Sequence, residues 1–328
     1  MPKKIIVIGS NSFSGASFVL SALEAGFEVV GISRSKKPDA VFLPYVLSGK
    51  EIEFYKLDLN HDIDKMMNVI NSKKPEYIVN FAAQSMVAQS WQNPDHWFNT
   101  NLVSTVKLHD QLRHCDFLKK YIHISTPEVY GNCEGHIQER NSYSPSTPYA
   151  VSRAAADMSL HTFFNSYNFP VVFTRAANVY GPGQQLYRII PRTILYIKLK
   201  KKLQLHGGGI SERSFIHIKD VSEATLQITK HAQSGEIFHI ATKNSITIRS
   251  LVEMICDLMG VEFEAHVEVV GERLGKDSAY LLDSSKVRDT FGWKDKISLE
   301  QGIKDVLSWV ENNFTVLKNQ PFDYIHKA

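Results

Sequence analysis

Cysteine is scarce: Cys115, Cys133 and Cys256 are the only three in 328 residues. They are odd in number and far apart, with no Cys-x-x-Cys pair, which excludes a disulfide framework or a zinc knuckle and predicts indifferent thiols in a reducing compartment. Long hydrophobic runs are also missing, since none approaches the roughly 20 residues that a membrane-spanning helix requires. A strand-like run starts at Ile5, straight after Met1-Pro2-Lys3-Lys4, which leaves no room for a signal peptide. A soluble cytoplasmic protein is expected. Nor is there a surplus of charge: 37 Lys+Arg against 34 Asp+Glu give +3, too even for nucleic-acid binding by bulk field. Internal repeats, low-complexity segments and metal-ligand clusters are absent as well, so chemistry has to come from particular side chains on an ordinary globular frame.

What is there is a core and a rhythm. Hydrophobic residues make up 43% of the chain, enough for one large domain and a smaller lobe. Ile5-Ile6-Val7-Ile8 is a continuous β-branched run of the kind that parallel strands covered on both faces require. Further strands are predicted at 27–32, 52–57, 77–81, 121–124 and 170–174, with one more returning at 235–240. Helical spacing separates most of them, and that alternation predicts an α/β fold, a doubly wound parallel sheet of Rossmann type. The rhythm breaks at Gly181-Pro182-Gly183 and at Gly207-Gly208-Gly209. We therefore expect residues 1–176 and about 213–244 to form a dinucleotide-binding domain. Residues 177–212 and 245–315 form a smaller C-terminal substrate-binding lobe over the carboxyl edge of the sheet, and 316–328 form a tail without a readable pattern.

The first strand runs into Gly9-Ser10-Asn11-Ser12-Phe13-Ser14-Gly15. Glycines belong here because the backbone must turn tightly and let a pyrophosphate approach the amides of a helix N-terminus. Gly9 and Gly15 keep the outer spacing of G-x-x-G-x-x-G, while Ser12 stands at the middle glycine, so Gly9, Asn11, Ser12, Phe13 and Gly15 are the candidate cofactor contacts. The end of the second strand discriminates between cofactors. A carboxylate there suits the ribose hydroxyl of NAD, whereas cations suit the 2′-phosphate of NADP. The chain offers Ser33-Arg34-Ser35-Lys36-Lys37 and no acid until Asp39, so Ser33 and Arg34 favour NADP over NAD. Asp58 and Leu59 follow the third strand, toward the adenine. Ala82-Ala83-Gln84-Ser85 makes a small-residue turn after the fourth, where a dinucleotide passes close to the backbone.

The stretch from Ser125 to Arg153 carries the chemistry. A buried strand delivers Thr126 and Glu128 at its carboxyl end, and a helix then presents Tyr149 and Arg153 one turn apart on one face. An unperturbed tyrosine has a pKa of about 10 and becomes a base near neutral pH only beside a fixed positive charge. Arg153 is the candidate for that charge. Taken alone, Tyr-x-x-x-Arg is equally the pattern of a packed aromatic and a solvated cation.

Together with Asn178-Val179-Tyr180-Gly181-Pro182-Gly183, these segments resemble an extended short-chain dehydrogenase/reductase, and within it the nucleotide-sugar 4,6-dehydratases of the GDP-mannose and dTDP-glucose types. The likeness continues through Arg213-Ser214-Phe215-Ile216-His217 and Arg273-Leu274-Gly275 to Leu282-Asp283-Ser284. The resemblance implies a hydride cycle, with Tyr149 and Arg153 also among the contacts of the dinucleotide. Tyr149 takes the proton of the sugar 4-hydroxyl, Thr126 bonds the 4-oxygen, and Glu128 removes the C5 proton as the C6 hydroxyl leaves. It also implies Ser85, Asn178, Arg192, Arg213 and Arg273 as contacts of a nucleotide-diphosphate sugar. A homodimer or a dimer of dimers is expected, built on helices near Trp97–Leu112 and Ala150–Phe164. Three positions depart from the family pattern. Arg153 stands where a lysine is usual, Pro127 where the dTDP-glucose type has an aspartic acid, and Met86 where a histidine is common. A nucleotide-sugar decarboxylase, a 4-epimerase and a dinucleotide binder without turnover are the competing readings.

Overall fold

The computed structural model describes residues 2–133, 135–271 and 281–327. Its main element is a sheet of strands β1 Lys4–Ile8, β2 Glu28–Ser33, β3 Glu53–Lys56, β4 Tyr77–Asn80, β5 Lys120–Ile124, β6 Val171–Ala176 and β7 Ile237–Ile240. All neighbours are parallel, in the order β7-β6-β5-β4-β1-β2-β3. This is the doubly wound order predicted from the alternation of runs, and it reverses direction between β1 and β4, where open α/β sheets bind ligands.

Alternation along each strand divides the core. Ile5 and Val7 face one apolar cluster with Val29, Val79, Ile122, Val172 and Phe238. Ile6 and Ile8 face another with Val30, Ile32, Ile78, Tyr121 and Phe173. A strand buried on both faces has no polar side to show, which is why these segments read as unbroken apolar runs rather than alternating ones. The first cluster is closed by α1 Phe13–Glu24 and by Ile218–His231, and the second by α2 Ile63–Lys73, α3 Thr105–Leu112 and α4 Pro148–Tyr167.

A third cluster belongs to the other lobe. Helices α5 Ile189–Lys198, α6 Ile218–His231, α7 Ile248–Met259 and α8 Leu299–Asn312 follow α4 in the chain. Of these, α5, α7 and α8 pack Ile190, Ile194, Leu251, Ile255, Ile303 and Val310 together. Two-stranded pairs tie this lobe to the sheet edge: Asn178–Tyr180 runs parallel with Phe215–His217, and Glu212–Arg213 antiparallel with Ile246–Thr247.

Two segments differ from their predicted form. The helix expected near Trp97–Leu112 is interrupted by a π-helical turn over Asn99–Ser104, an irregularity that often marks a functional position. The segment after Phe314, which has no readable pattern, continues as Phe314–Leu317 helix and then as an extended strap in contact with both lobes. No described helix is long and apolar enough to cross a membrane.

Candidate active site

The glycine turn is built by close backbone approach. Gly9 has φ +82°, and a Cβ there would lie 2.7 Å from the Ala82 amide nitrogen; one on Gly15 would lie 2.2 Å from the Gly9 carbonyl. Both positions therefore demand glycine, which fits a cradle for a large anion at the N-terminus of α1. Ser12 takes the middle position because its hydroxyl caps the helix, accepting from the Gly15 amide at 3.1 Å. Asn11 is spent on the neighbouring loop: its amide nitrogen donates to Ser33 Oγ at 3.0 Å and its side chain donates to the Ser35 and Lys36 carbonyls. Asn11 thus holds the end of β2 in place. Replacing Gly15 with alanine is expected to break this cradle and weaken dinucleotide binding at least about tenfold, a loss of about 1.4 kcal/mol, with the fold retained by circular dichroism.

Of the other candidates here, Ser33 ends β2 and Arg34 follows it. Asp58 caps its own turn, its Oδ1 accepting from the Asn60 amide at 2.8 Å. Leu59 packs into the core in one cluster with Met66 and Met67. Ala82 and Ala83 are half-buried, and Ser85 is exposed. Gln84 is buried and clamped from behind: its backbone amide donates to Asn101 Oδ1 at 2.8 Å, and Asn101 Nδ2 donates back to the Gln84 carbonyl at 3.0 Å and to Ser152 Oγ at 3.0 Å. Asn101 lies in the π-helical turn, and sequence reasoning missed it because nothing in Asn99-Thr100-Asn101-Leu102 distinguishes a π turn from an α-helix.

At the other end of the crevice β5 delivers Ser125 and Thr126, and Pro127 opens a short 3-10 turn that carries Glu128. Thr126 Oγ1 caps this turn, accepting from the Glu128 amide at 3.4 Å, and lies beside the Tyr149 phenol. Tyr149 enters α4 at its first turn, after the Thr147 cap. Its pKa is pushed up to about 12, first by burial and then by the Glu128 carboxylate; Arg153, Thr126 and Arg188 pull it down without prevailing. The Arg153 charge thus acts on the phenol in the expected direction, against burial and Glu128. The Arg153 guanidinium is turned under the strand, donating to the Ile124 carbonyl and lying 3.4 Å from His123 Nε2. Spacing on a helix sets the face of a long side chain but not its reach. Arg188, at the entrance to α5, is a cation near Tyr149 that the sequence reading did not name, because the second lobe brings it there.

The remaining candidates are spread over that lobe. Asn178 donates to the Ser214 carbonyl at 3.3 Å, and Arg213 donates to the Glu212 carbonyl at 2.7 Å. Arg192 bonds Tyr196 Oη at 2.8 Å and pairs with Asp323 at 3.1 Å. Arg273 lies outside the described residues.

Seven parallel strands in this order, the glycine turn after the first and Tyr149 beside the end of the fifth define an extended short-chain dehydrogenase/reductase. The chain belongs to the GDP-mannose 4,6 dehydratase family, whose model matches residues 6–306. It is 30% identical over 331 residues to the dTDP-D-glucose 4,6-dehydratase of Homo sapiens, covering 97% of this chain and 92% of that protein. Among solved structures it is similar to the dTDP-glucose 4,6-dehydratase of Streptomyces venezuelae with NAD bound, at 27% identity and a TM-score of 0.88 over 95% of this chain and 98% of that one. It is also similar to a UDP-glucose 4-epimerase of Thermotoga maritima with UDP-glucose, at 25% identity and a TM-score of 0.86 over 95% and 99%.

Proposed function

We propose that the chain is a nucleotide-sugar 4,6-dehydratase that converts an NDP-hexose to an NDP-4-keto-6-deoxyhexose. The observation that carries this reading is Glu128, a carboxylate whose field reaches the Tyr149 phenol on the same short turn that Thr126 caps. Oxidation at C4 needs only the tyrosine; a carboxylate beside it is what an elimination across C5 and C6 requires.

The cradle at Gly9 and Gly15 fits a dinucleotide, with Arg34 at the ribose end. NADP is favoured over NAD because Arg34 directly follows β2 and no acid stands before Asp39. Related structures carry NAD, so this preference rests on Arg34 alone. When bound, the dinucleotide supplies reversible hydride storage. Tyr149 takes the 4-hydroxyl proton, and Thr126 holds the 4-oxygen as charge develops on it. With C4 a carbonyl, the C5 proton is acidic and Glu128 removes it. Pro127 has no proton to give, so Glu128 passes its own to the departing C6 hydroxyl, which leaves as water. The 4-keto-6-deoxy product then requires the stored hydride back at C6 together with a solvent proton at C5, so the cycle ends with the dinucleotide oxidised again. Asn178, Arg192 and Arg213 face the diphosphate in this reading, and the lobe of residues 177–212 and 245–315 holds the nucleotide sugar. Val103, Val151 and Met158, exposed by 42, 37 and 58% on the helices near α3 and α4, support self-association as a dimer.

A 4-epimerase is the second reading, favoured by the likeness to the Thermotoga maritima enzyme. Incubation with a panel of nucleotide sugars in deuterated water separates the two. Deuterium at C5 with loss of water supports the dehydratase. Inversion at C4 without exchange at C5 supports the epimerase, release of carbon dioxide a decarboxylase, and no change in any sugar a binder without turnover.

A further inference from the structure

The strap that follows Leu317 lies across the crevice between the ends of β2 and β4. Burial alternates along it: Phe322, Tyr324 and His326 are half-buried, while Pro321, Asp323, Ile325 and Lys327 are exposed. A period of two means an extended segment with one face docked. Phe322 packs edge-on against Tyr196 and under Lys201, Asp323 pairs with Arg192 at 3.1 Å, and the Tyr324 ring meets Tyr187 edge-on at 5.5 Å. The His326 ring lies parallel to His96 and Trp97, 5.1 Å from each, with its Nε2 2.7 Å from His96 Nδ1.

The far end is the informative one. The Lys327 carbonyl accepts from Gln84 Nε2 at 2.6 Å and from Arg34 Nη1 at 3.4 Å. Gln84 also accepts from the Tyr324 hydroxyl at 3.5 Å. One carbonyl oxygen therefore bridges the carboxyl ends of β2 and β4, which flank β1. That is the path a dinucleotide has to take from the end of β2 past the glycine turn to β4. Its ligands include Arg34 and Gln84, and the substrate candidate Arg192 is held by the same strap.

We propose that residues 321–327 form an autoinhibitory strap that occupies the dinucleotide crevice through Gln84 and Arg34 and is displaced when the dinucleotide binds. The proposal rests on the dinucleotide reading above. Binding then requires the strap-open state, and the apparent affinity is reduced by the fraction of molecules in which that state is populated.

The test titrates NADP⁺, and separately NAD⁺, into the full chain, into a chain ended at Gln320, and into the full-length variant His326→Ala, which keeps the strap but loses its ring contacts. The shortened chain is expected to bind at least about tenfold more tightly, as it would if the strap is closed in about nine molecules in ten. His326→Ala should shift in the same direction by a smaller factor, and saturating NADP⁺ should speed release of the last residues by carboxypeptidase. Equal affinity in all three forms, or weaker binding by both variants, overturns the strap while leaving the dinucleotide reading standing. No binding of either dinucleotide by any form, with circular dichroism showing folded protein, overturns that reading and the strap with it.

Discussion

Tyr149→Phe is expected to lower turnover by about 10²–10⁴-fold, the usual contribution of a positioned proton-transfer group, with the fold retained by circular dichroism. The phenol lies beside Thr126, and its pKa is pushed up to about 12 by burial and by Glu128. The reactive form is the phenolate, so the oxidation step should accelerate as pH rises through the neutral and alkaline range, and this dependence should vanish in Tyr149→Phe. Glu128→Gln separates the two halves of the cycle. Removing the carboxylate takes away a charge that raises the phenol pKa, so reduced nicotinamide should form at a lower pH than in the parent protein. Elimination should stop, and the reduced dinucleotide should accumulate with no loss of water. Absorbance of the reduced nicotinamide, followed against pH in stopped flow, reads both effects. If Glu128→Gln still releases water at the parent rate, Glu128 is not the base.

The fold was legible wherever burial on both faces left its mark. Ile5-Ile6-Val7-Ile8 and Tyr121-Ile122-His123-Ile124 admit no polar side, and strands of that kind betray themselves without any periodicity. Glycines were legible where backbones meet, as at Gly9 and Gly15. Side-chain reach was not. Arg153 lies on the helix as the i, i+4 spacing requires, yet its guanidinium goes beneath β5 to the Ile124 carbonyl. Arg188 comes from a different lobe, and the packing of lobes has no local signature. The strap was not legible: rings stand at Phe322, Tyr324 and His326, but a docked extended segment and a solvated one share that spacing until the partner surface is known. The least legible feature is a buried ion pair whose members are 18 residues apart on two elements.

That pair sets the second large expectation. Asp157, two turns after Tyr149 on α4, and Arg175 on β6 are both fully buried, with Arg175 Nη2 donating to Asp157 Oδ2 at 2.8 Å. Ser125 Oγ donates to the same carboxylate oxygen at 2.6 Å, and His123 Nε2 lies 3.3 Å from the other. Arg175 is also held by the hydroxyls of Tyr130 and Tyr143. The carboxylate thus anchors the residue before Thr126 to the helix that carries Tyr149. Asp157→Asn removes the negative charge and leaves a buried guanidinium uncompensated, which should cost about 3–5 kcal/mol. Adding Arg175→Met should recover much of that loss, because replacing a whole buried pair by apolar groups is often close to neutral. Burial alone would raise the Asp157 pKa, but the Arg175 charge, helped by His123 and Ser125, holds it far below the usual carboxylate range. A depressed folded pKa contributes stability above the unfolded value of about 3.9 and loses it as pH falls further. The stability gap between parent and Asp157→Asn should therefore be constant from neutral pH down to about 4 and narrow below it. His109, held below its ordinary pKa mainly by burial, adds a separate loss in both proteins as pH falls below about 6.5. Urea denaturation at a series of pH values resolves the two, and a gap that stays open below pH 4 would mean that the asparagine costs stability through packing rather than through charge.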